Sequence, residues 1–174
     1  MNPHHQMQRT AAYARIVHDD QILLTRISSR GHHTGHWTLP GGGVDHGEHP
    51  HDTVVREVYE ETGLRATVGA VLGVHDTHFV GTAPTGRVED YHGIHLIYAA
   101  TVHDDLPLRV TEEDGTTDAA AWFPMDTLED QPVLEVVRFA VEVAPDFLPL
   151  SREAAAVRTS RLSVGSPLEN NNSM

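Results

Sequence analysis

"LPGGGVDHGEHPHDTVVREVYEETGL", Leu39 to Leu64, joins a run of three glycines to a helix dense in carboxylates. Pro50 in a first turn and Gly63 as a C-terminal stop predict a helix over residues 50–62. Within it, Glu57, Glu60 and Glu61 stand at i, i+3 and i+4 and share one face. Like charges at that spacing cost roughly 0.2–0.5 kcal/mol per pair. A cation on that face offsets the cost. All-oxygen donors suit Mg²⁺ or Mn²⁺ and not zinc. Val54, Val55 and Val58 form the neighbouring stripe and are expected to pack on a sheet. Gly41 to Gly43 permit backbone angles closed to other residues and let the main chain approach a ligand. A carbonyl from that loop can complete a metal shell. Glu48 precedes Arg56 by eight residues, and an ion pair between them would brace loop to helix. Taken alone, the glutamates read more simply as a solvated acidic face. The glycines, Glu48 and Arg56 in front of them call for more.

Outward from this segment, β patterns dominate. Residues 11–18 and 21–27 read as paired strands around an Asp19–Asp20 turn. Residues 28–36 read as a polar loop and 37–39 as a short strand. Residues 68–79 form a bent β segment interrupted at Gly73, 81–90 a loop, 93–102 a core strand, 111–118 an acidic loop and 119–123 a strand. A second helix is expected over 134–143. The pattern predicts a single α/β domain with a mixed sheet. Residues 1–9 read as a flexible leader, 10–148 as the domain, and 149–174 as a weak helix followed by a disordered tail.

Composition narrows the function classes. The formal net charge is −13 over 174 residues, and no basic patch interrupts it, which argues against nucleic-acid partners. There are no cysteines, and every basic residue is Arg, so thiolate and lysine chemistry are excluded. The 14 histidines are scattered and fit no zinc spacing. No apolar run suggests a signal peptide or a membrane span, and a cytoplasmic location without membrane partners is expected.

The segment resembles the Nudix box, whose fixed positions are matched in register by Gly42, Glu48, Arg56, Glu57, Val58, Glu60, Glu61, Gly63 and Leu64. The likeness extends, through "W-x-L-P-G-G" and the strand order, over about residues 9–143. It implies the family's α/β/α sandwich and hydrolysis of a diphosphate linked to another moiety, usually a nucleoside, with Mg²⁺ (Mn²⁺ as substitute). By the resemblance, Glu57 and Glu61 are the principal metal ligands, with Glu60 close behind and the Gly41 carbonyl joining them. Glu48 and Arg56 match a mainly structural pair. The general base in the family is either a box glutamate, here Glu60 or Glu61, or a carboxylate on a later loop. The loop candidates are Glu112, Glu113, Asp114 and Asp118, of which Glu112 and Glu113 are long enough to reach inward.

Arg26 and Arg30 flank the "GHHTGH" stretch upstream of the box as phosphate-binding candidates, with a surface charge as the simpler reading of each, and Tyr13, Phe79 and Tyr91 are rings for a base to stack on, with core packing the simpler reading of Tyr13. The marks of family subgroups are not filled: the nearest proline past the box is Pro84, and the Thr25–Arg30–Gly35 spacing departs from the coenzyme A pattern. The expected substrate is a nucleotide, either a nucleoside triphosphate or a nucleotide sugar such as ADP-ribose. A nucleotide-binding sensor without turnover is the competing reading, although such relatives usually lose box glutamates and this chain keeps them. A homodimer is left open, since no heptad or long apolar edge demands one.

Overall fold

The computed structural model describes residues 5–82, 86–103, 106–112 and 114–143. Its elements run β1 (His5–His18), β2 (Gln21–Ile27), β3 (Trp37–Thr38), β4 (Gly41–Gly43), α1 (Pro50–Thr62), β5 (Ala66–Thr82), β6 (Val88–Val102) and β7 (Thr117–Pro124). A 3₁₀ turn (Met125–Asp130) and α2 (Glu135–Glu142) complete them. The strand order is β3-β2-β1-β6-β5, with β4 on β1 and β7 on β2. Among the described strands β1 and β6 pair in parallel, from His5↔Glu89 to Ile16↔Ala100, and the other strand pairs are antiparallel. The sheet is therefore mixed, as the pattern predicts.

The β1–β2 turn is tight because Asp19 and Asp20 both adopt positive φ, 47° and 59°. That is the twist two-residue hairpins prefer, and Asp tolerates it.

Alternation along the strands sorts side chains onto two faces. Ile22, Leu24, Val17 and Ile97 pack with Val136, Val137 and Ala140 of α2. Leu23, Ile16, Ala12, Ala14 and Tyr98 pack with Val54 and Val58 of α1. One helix covers each face, giving an α/β/α sandwich. Strand β2 is buried on both sides, which explains its unbroken apolar run. Val54 and Val58 are fully buried, and each such side chain stabilises the packing by about 1.5–3 kcal/mol.

Helix α1 is capped as its sequence requires. The His49 side chain accepts from the His51 N–H, and Gly63 closes the helix at φ 74° with its N–H on the Tyr59 carbonyl. Its buried face is Thr53, Val54, Val58, Glu61 and Thr62. Val55, expected to pack on the sheet, is 38% exposed, because one step from Val54 turns it about 100° around the helix, off the 54–58–61 line.

Three further expectations are corrected. The chain from His5 to Arg9 is not a leader but the first half of β1, paired with Glu89 to Gly93. Gly41 to Gly43 form a short strand against Tyr13, Ala12 and Ala11, not a loop. Strand β5 runs on to Thr82, and β6 begins at Val88, so half of the expected 81–90 loop is ladder. The register shifts before Gly73 mark the expected bend, and Phe139 of α2 fills the space there, 3.1 Å from where a Cβ would stand. The segment 149–174 lies outside the described residues. Among the described residues, no helix is long and apolar enough to cross a membrane.

Candidate active site

Arg56, half-buried on α1, organises the carboxylates around it. Its Nε and Nη2 donate to Glu48 Oε1 and Oε2, both at 2.9 Å, a bidentate pair that fixes both groups. The Thr53 hydroxyl donates to Glu48 Oε2 at 2.7 Å. Arg56 Nη1 donates to Glu57 Oε1 at 2.8 Å and to Glu60 Oε2 at 3.1 Å. The expected brace is thus formed, and it also ties two further box glutamates.

These bonds hold the Glu48 carboxyl down at about 2, mainly through Arg56 and then Thr53. A carboxyl depressed on folding contributes stability that is complete above its ordinary value of 4.5 and is lost as pH falls toward 2. Glu48→Gln is therefore expected to cost about 1–3 kcal/mol at pH 7. The gap to the unmodified protein should narrow as pH drops below about 4.5. Urea midpoints across pH 3 to 7 measure this, and a gap independent of pH would refute it.

Glu61 has a different setting. It is 5% exposed, on the buried face of α1. Its Oε2 accepts from the Gly41 N–H at 2.9 Å and from Thr25 Oγ1 at 3.4 Å. Thr117 Oγ1 donates to Oε1. None of these partners is cationic, and burial pushes the carboxyl up to about 8. Burial also raises Glu57, followed by an opposing bond from Arg56. A Cβ at Gly42 would lie 2.6 Å from Glu57 Oε1, so the glycine strand rests directly on this carboxylate.

The donor set fits a hard cation. Glu48, Glu57 and Glu60 share the single charge of Arg56, so carboxylates outnumber the cation, and Glu61 is a fourth carboxyl with no cation among its hydrogen-bond partners. Among the described residues, however, no three His, Asp or Glu side chains converge as a ready site. Arg56 lies between Glu57 and Glu60, and Glu61 is turned toward Gly41 and two threonines. The Gly41 group that meets the box glutamates is its N–H.

These groups wall a cleft of about 590 Å³. Gly41 to Gly43, Glu57, Glu60 and Glu61 line it together with Arg9, Tyr91, His95, Glu112 and Asp114. Of the loop carboxylates, Asp114 pairs with Arg30 at 2.6 Å. Asp118 pairs with Arg26 at 2.7 Å, outside the cleft. Glu112 lines the cleft, and its charge reaches Glu57. Glu113 lies outside the described residues.

Arg30 thus reaches the cleft in an ion pair. Arg26 does not reach it: strand pairing with β3 and β7 sets its guanidinium over the Trp37 ring, at 5.8 Å, and against Asp118. The cleft cation that the sequence reading missed is Arg9, which carries no ion pair among the described residues and lies against Gly43. The two-residue spacing Arg9–Ala11–Tyr13 was the available signal, obscured by the polar residues before it. His95 was missed too. Its Nδ1 is 3.2 Å from His75 Nδ1, and burial followed by the His75 charge lowers it to about 4, so it is neutral at pH 7.

The arrangement has relatives. The fold superposes on a MutT NUDIX hydrolase from Burkholderia pseudomallei with a TM-score of 0.62 and 34% identity, covering 78% of this chain and 97% of that one. Over 132 residues the chain is 26% identical to Nudix hydrolase 2 of Arabidopsis thaliana, 74% of this chain and 44% of that protein. Over 85 residues it is 39% identical to diphosphoinositol polyphosphate phosphohydrolase 3-alpha of Mus musculus, 44% of this chain and 50% of that protein. The chain spans about half the length of the curated relatives it matches. The NUDIX domain pattern itself matches residues 7–147, from within β1 to beyond α2, and with the box glutamates, their arginine and the glycine strand assembled at one cleft, the chain belongs to the NUDIX family.

Proposed function

We propose that this protein hydrolyses a diphosphate bond in a nucleoside diphosphate-linked substrate, a nucleoside triphosphate or a nucleotide sugar such as ADP-ribose, with Mg²⁺. The observation that carries the reading is the excess of carboxylate over cation where α1 meets the glycine strand. Glu57, Glu60 and Glu61 would hold the metal, with the Gly41 carbonyl as a further donor. When bound, Mg²⁺ neutralises diphosphate oxygens and lowers the pKa of a water for in-line attack on phosphorus.

The chain's own groups do the remainder. Arg56 and Glu48 fix the helix face against the loop. Gly42, lacking a side chain, lets the main chain lie on Glu57. Arg9, which has no ion pair among the described residues, would offer its guanidinium to a phosphate oxygen in the cleft. Among the described residues Glu112 lines the cleft without an ion pair, unlike Asp114 and Asp118, and it would take the proton from the attacking water.

The test is a panel of nucleoside triphosphates, dinucleotides, nucleotide sugars and coenzyme A, assayed with Mg²⁺ and with EDTA. Turnover of at least one compound is expected with Mg²⁺ and none with EDTA. Glu112→Gln should slow turnover on that compound by about 10²–10⁴-fold. If no compound is cleaved with any divalent metal, the hydrolase reading fails, and nucleotide binding without turnover would favour a sensor. An unaffected Glu112→Gln rate would move the base into the box.

A further inference from the structure

The C-terminal end of α1 is closed by a segment from far along the chain. A helix leaves its last four carbonyls without partners of its own. Here the Gly63 N–H donates to the Tyr59 carbonyl at 2.9 Å, and the Arg109 N–H donates to the Thr62 carbonyl at 3.0 Å. The Glu60 carbonyl is the most heavily used. It accepts from the Thr111 N–H at 2.7 Å and the Glu112 N–H at 3.3 Å. The Thr111 hydroxyl also reaches it, at 3.0 Å, and lies 3.3 Å from the Tyr59 carbonyl.

Glu60 belongs to the box, and the far end of the acidic loop returns to its neighbour: Thr117 Oγ1 donates to Glu61 Oε1. The loop from Thr111 to Thr117 is thus moored at both ends on consecutive residues of α1. Between the moorings, residues 28–30 hold it from the other side. Ser28 Oγ donates to the Gly115 carbonyl at 3.2 Å, the Ser28 N–H to the Thr116 carbonyl at 2.7 Å, and Arg30 Nη1 to the Asp114 carbonyl at 2.7 Å. Helix and strand end together set the path of this loop, as a scaffold sets a functional loop.

Glu112 follows the first mooring directly, and its side chain folds back over Gly115. A Cβ at Gly115 would stand 2.7 Å from Glu112 Cδ and 3.2 Å from Cγ, and would overlap Oε2. The glycine therefore leaves the space that the carboxylate fills, and both residues line the cleft. Capping α1 requires only the main-chain bonds. It does not require a carboxylate lodged where its charge reaches Glu57, an unfavourable neighbour.

We propose that Thr111 and Gly115 are positioning residues for the reaction: Thr111 fixes the main chain of Glu112 on the Glu60 carbonyl, and Gly115 leaves the room in which the Glu112 carboxylate faces the cleft. The inference rests on the cleft being the diphosphate site and on Glu112 acting as its base.

The test reads the full chain with and without turnover. In EDTA, amide hydrogen exchange should show Thr111 and Glu112 protected, and Thr111→Val should speed exchange at Glu112 by about tenfold. A crystal structure of Gly115→Ala should keep the main chain and show the Glu112 carboxylate displaced. With Mg²⁺ and a compound that the unmodified chain cleaves, Gly115→Ala should lower kcat by about 10–10²-fold, with KM within about threefold. Thr111→Val should lower kcat by about threefold or more, and Thr111→Ser should restore it. Glu112→Gln combined with Gly115→Ala should be as slow as Glu112→Gln alone, within about twofold, because displacing a group already disabled costs nothing further. A merely structural role would instead give additive losses. If Gly115→Ala does not fold, Thr111→Val carries the same cycle. The proposal is overturned by unchanged kcat in both variants, by additive losses, by an effect on KM alone, or by a Glu112 carboxylate that stays in place beside the new methyl group. Normal turnover by Glu112→Gln removes the base and its positioning together and leaves the hydrolase reading intact. Absence of turnover of any compound by the unmodified chain refutes the hydrolase reading and, with it, any part of these residues in catalysis.

Discussion

Glu61→Gln is expected to lower kcat at least about a hundredfold while leaving the melting temperature unchanged or raised. A hundredfold loss corresponds to about 2.7 kcal/mol of transition-state stabilisation. The loss follows from removing a charged donor at the site proposed for Mg²⁺. The stability half follows from the surroundings of the side chain. Glu61 is buried against Gly41, Thr25 and Thr117, with no cation among its hydrogen-bond partners. A carboxyl raised to about 8 by burial must take up a proton on folding at neutral pH, a cost that an isosteric amide avoids. The amide oxygen can keep the Gly41 N–H, and the two threonine hydroxyls can rotate to accept from the new NH₂. An ionisable group kept at an energetic cost to the fold is what a functional group looks like, and removing it trades activity for stability. Steady-state kinetics and thermal unfolding on the same preparation read both halves. Activity within a factor of a few would take Glu61 out of the site. Activity lost together with several kcal/mol of stability would make it a structural residue.

How much of this was legible follows from the range of the interactions. The box could be read because its geometry is local: three carboxylates within five positions of a helix must share a region of its surface, and Arg56 must meet residues one turn away. The Glu48–Arg56 pair was legible for the same reason, since it spans only one loop. Glu61 is the partial miss. Spacing placed it with Glu57 and Glu60, but the sheet packs against the 54–58–61 line, so it enters the core while its neighbours stay with Arg56.

Arg9 was out of reach because its strand is held by residues far along the chain, Glu89 to Gly93, and a polar segment carries no periodicity strong enough to announce such pairing. The same holds for the acidic loop. Nothing in "TEEDGTTD" says that Asp114 and Asp118 will be taken by Arg30 and Arg26, leaving Glu112 at the cleft. Tyr91 and Phe79 were visible as aromatic residues, but only the β5–β6 register makes them a pair.

The three glycines that open the box should fail in three different ways when each is replaced by alanine. Gly41 has φ 146°, and a Cβ there would run into the Ala12 carbonyl oxygen and come within 2.6 Å of Tyr13 Cα. Backbone cannot move aside as a side chain can, so Gly41→Ala should cost at least about 3 kcal/mol and lower Tm markedly. At Gly42 the obstacle is the Glu57 carboxylate, 2.6 Å away. The main chain can keep its path while Glu57 is displaced from beneath it, so the fold should survive and kcat should drop by about 10²-fold, the scale expected for a reacting group misplaced by about 1 Å. At Gly43 the Cβ would meet only the end of the Arg9 side chain, which can swing away. That variant should fold and turn over normally but bind substrate more weakly, raising KM by roughly tenfold through the loss of one charged contact. Adjacent residues of one type would then separate into effects on stability, turnover and affinity, because each faces a different neighbour: backbone, carboxylate or guanidinium. Equal effects in all three variants, or loss of folding in all three, would show that the glycines serve only as a flexible turn and that the contacts with Glu57 and Arg9 carry no function.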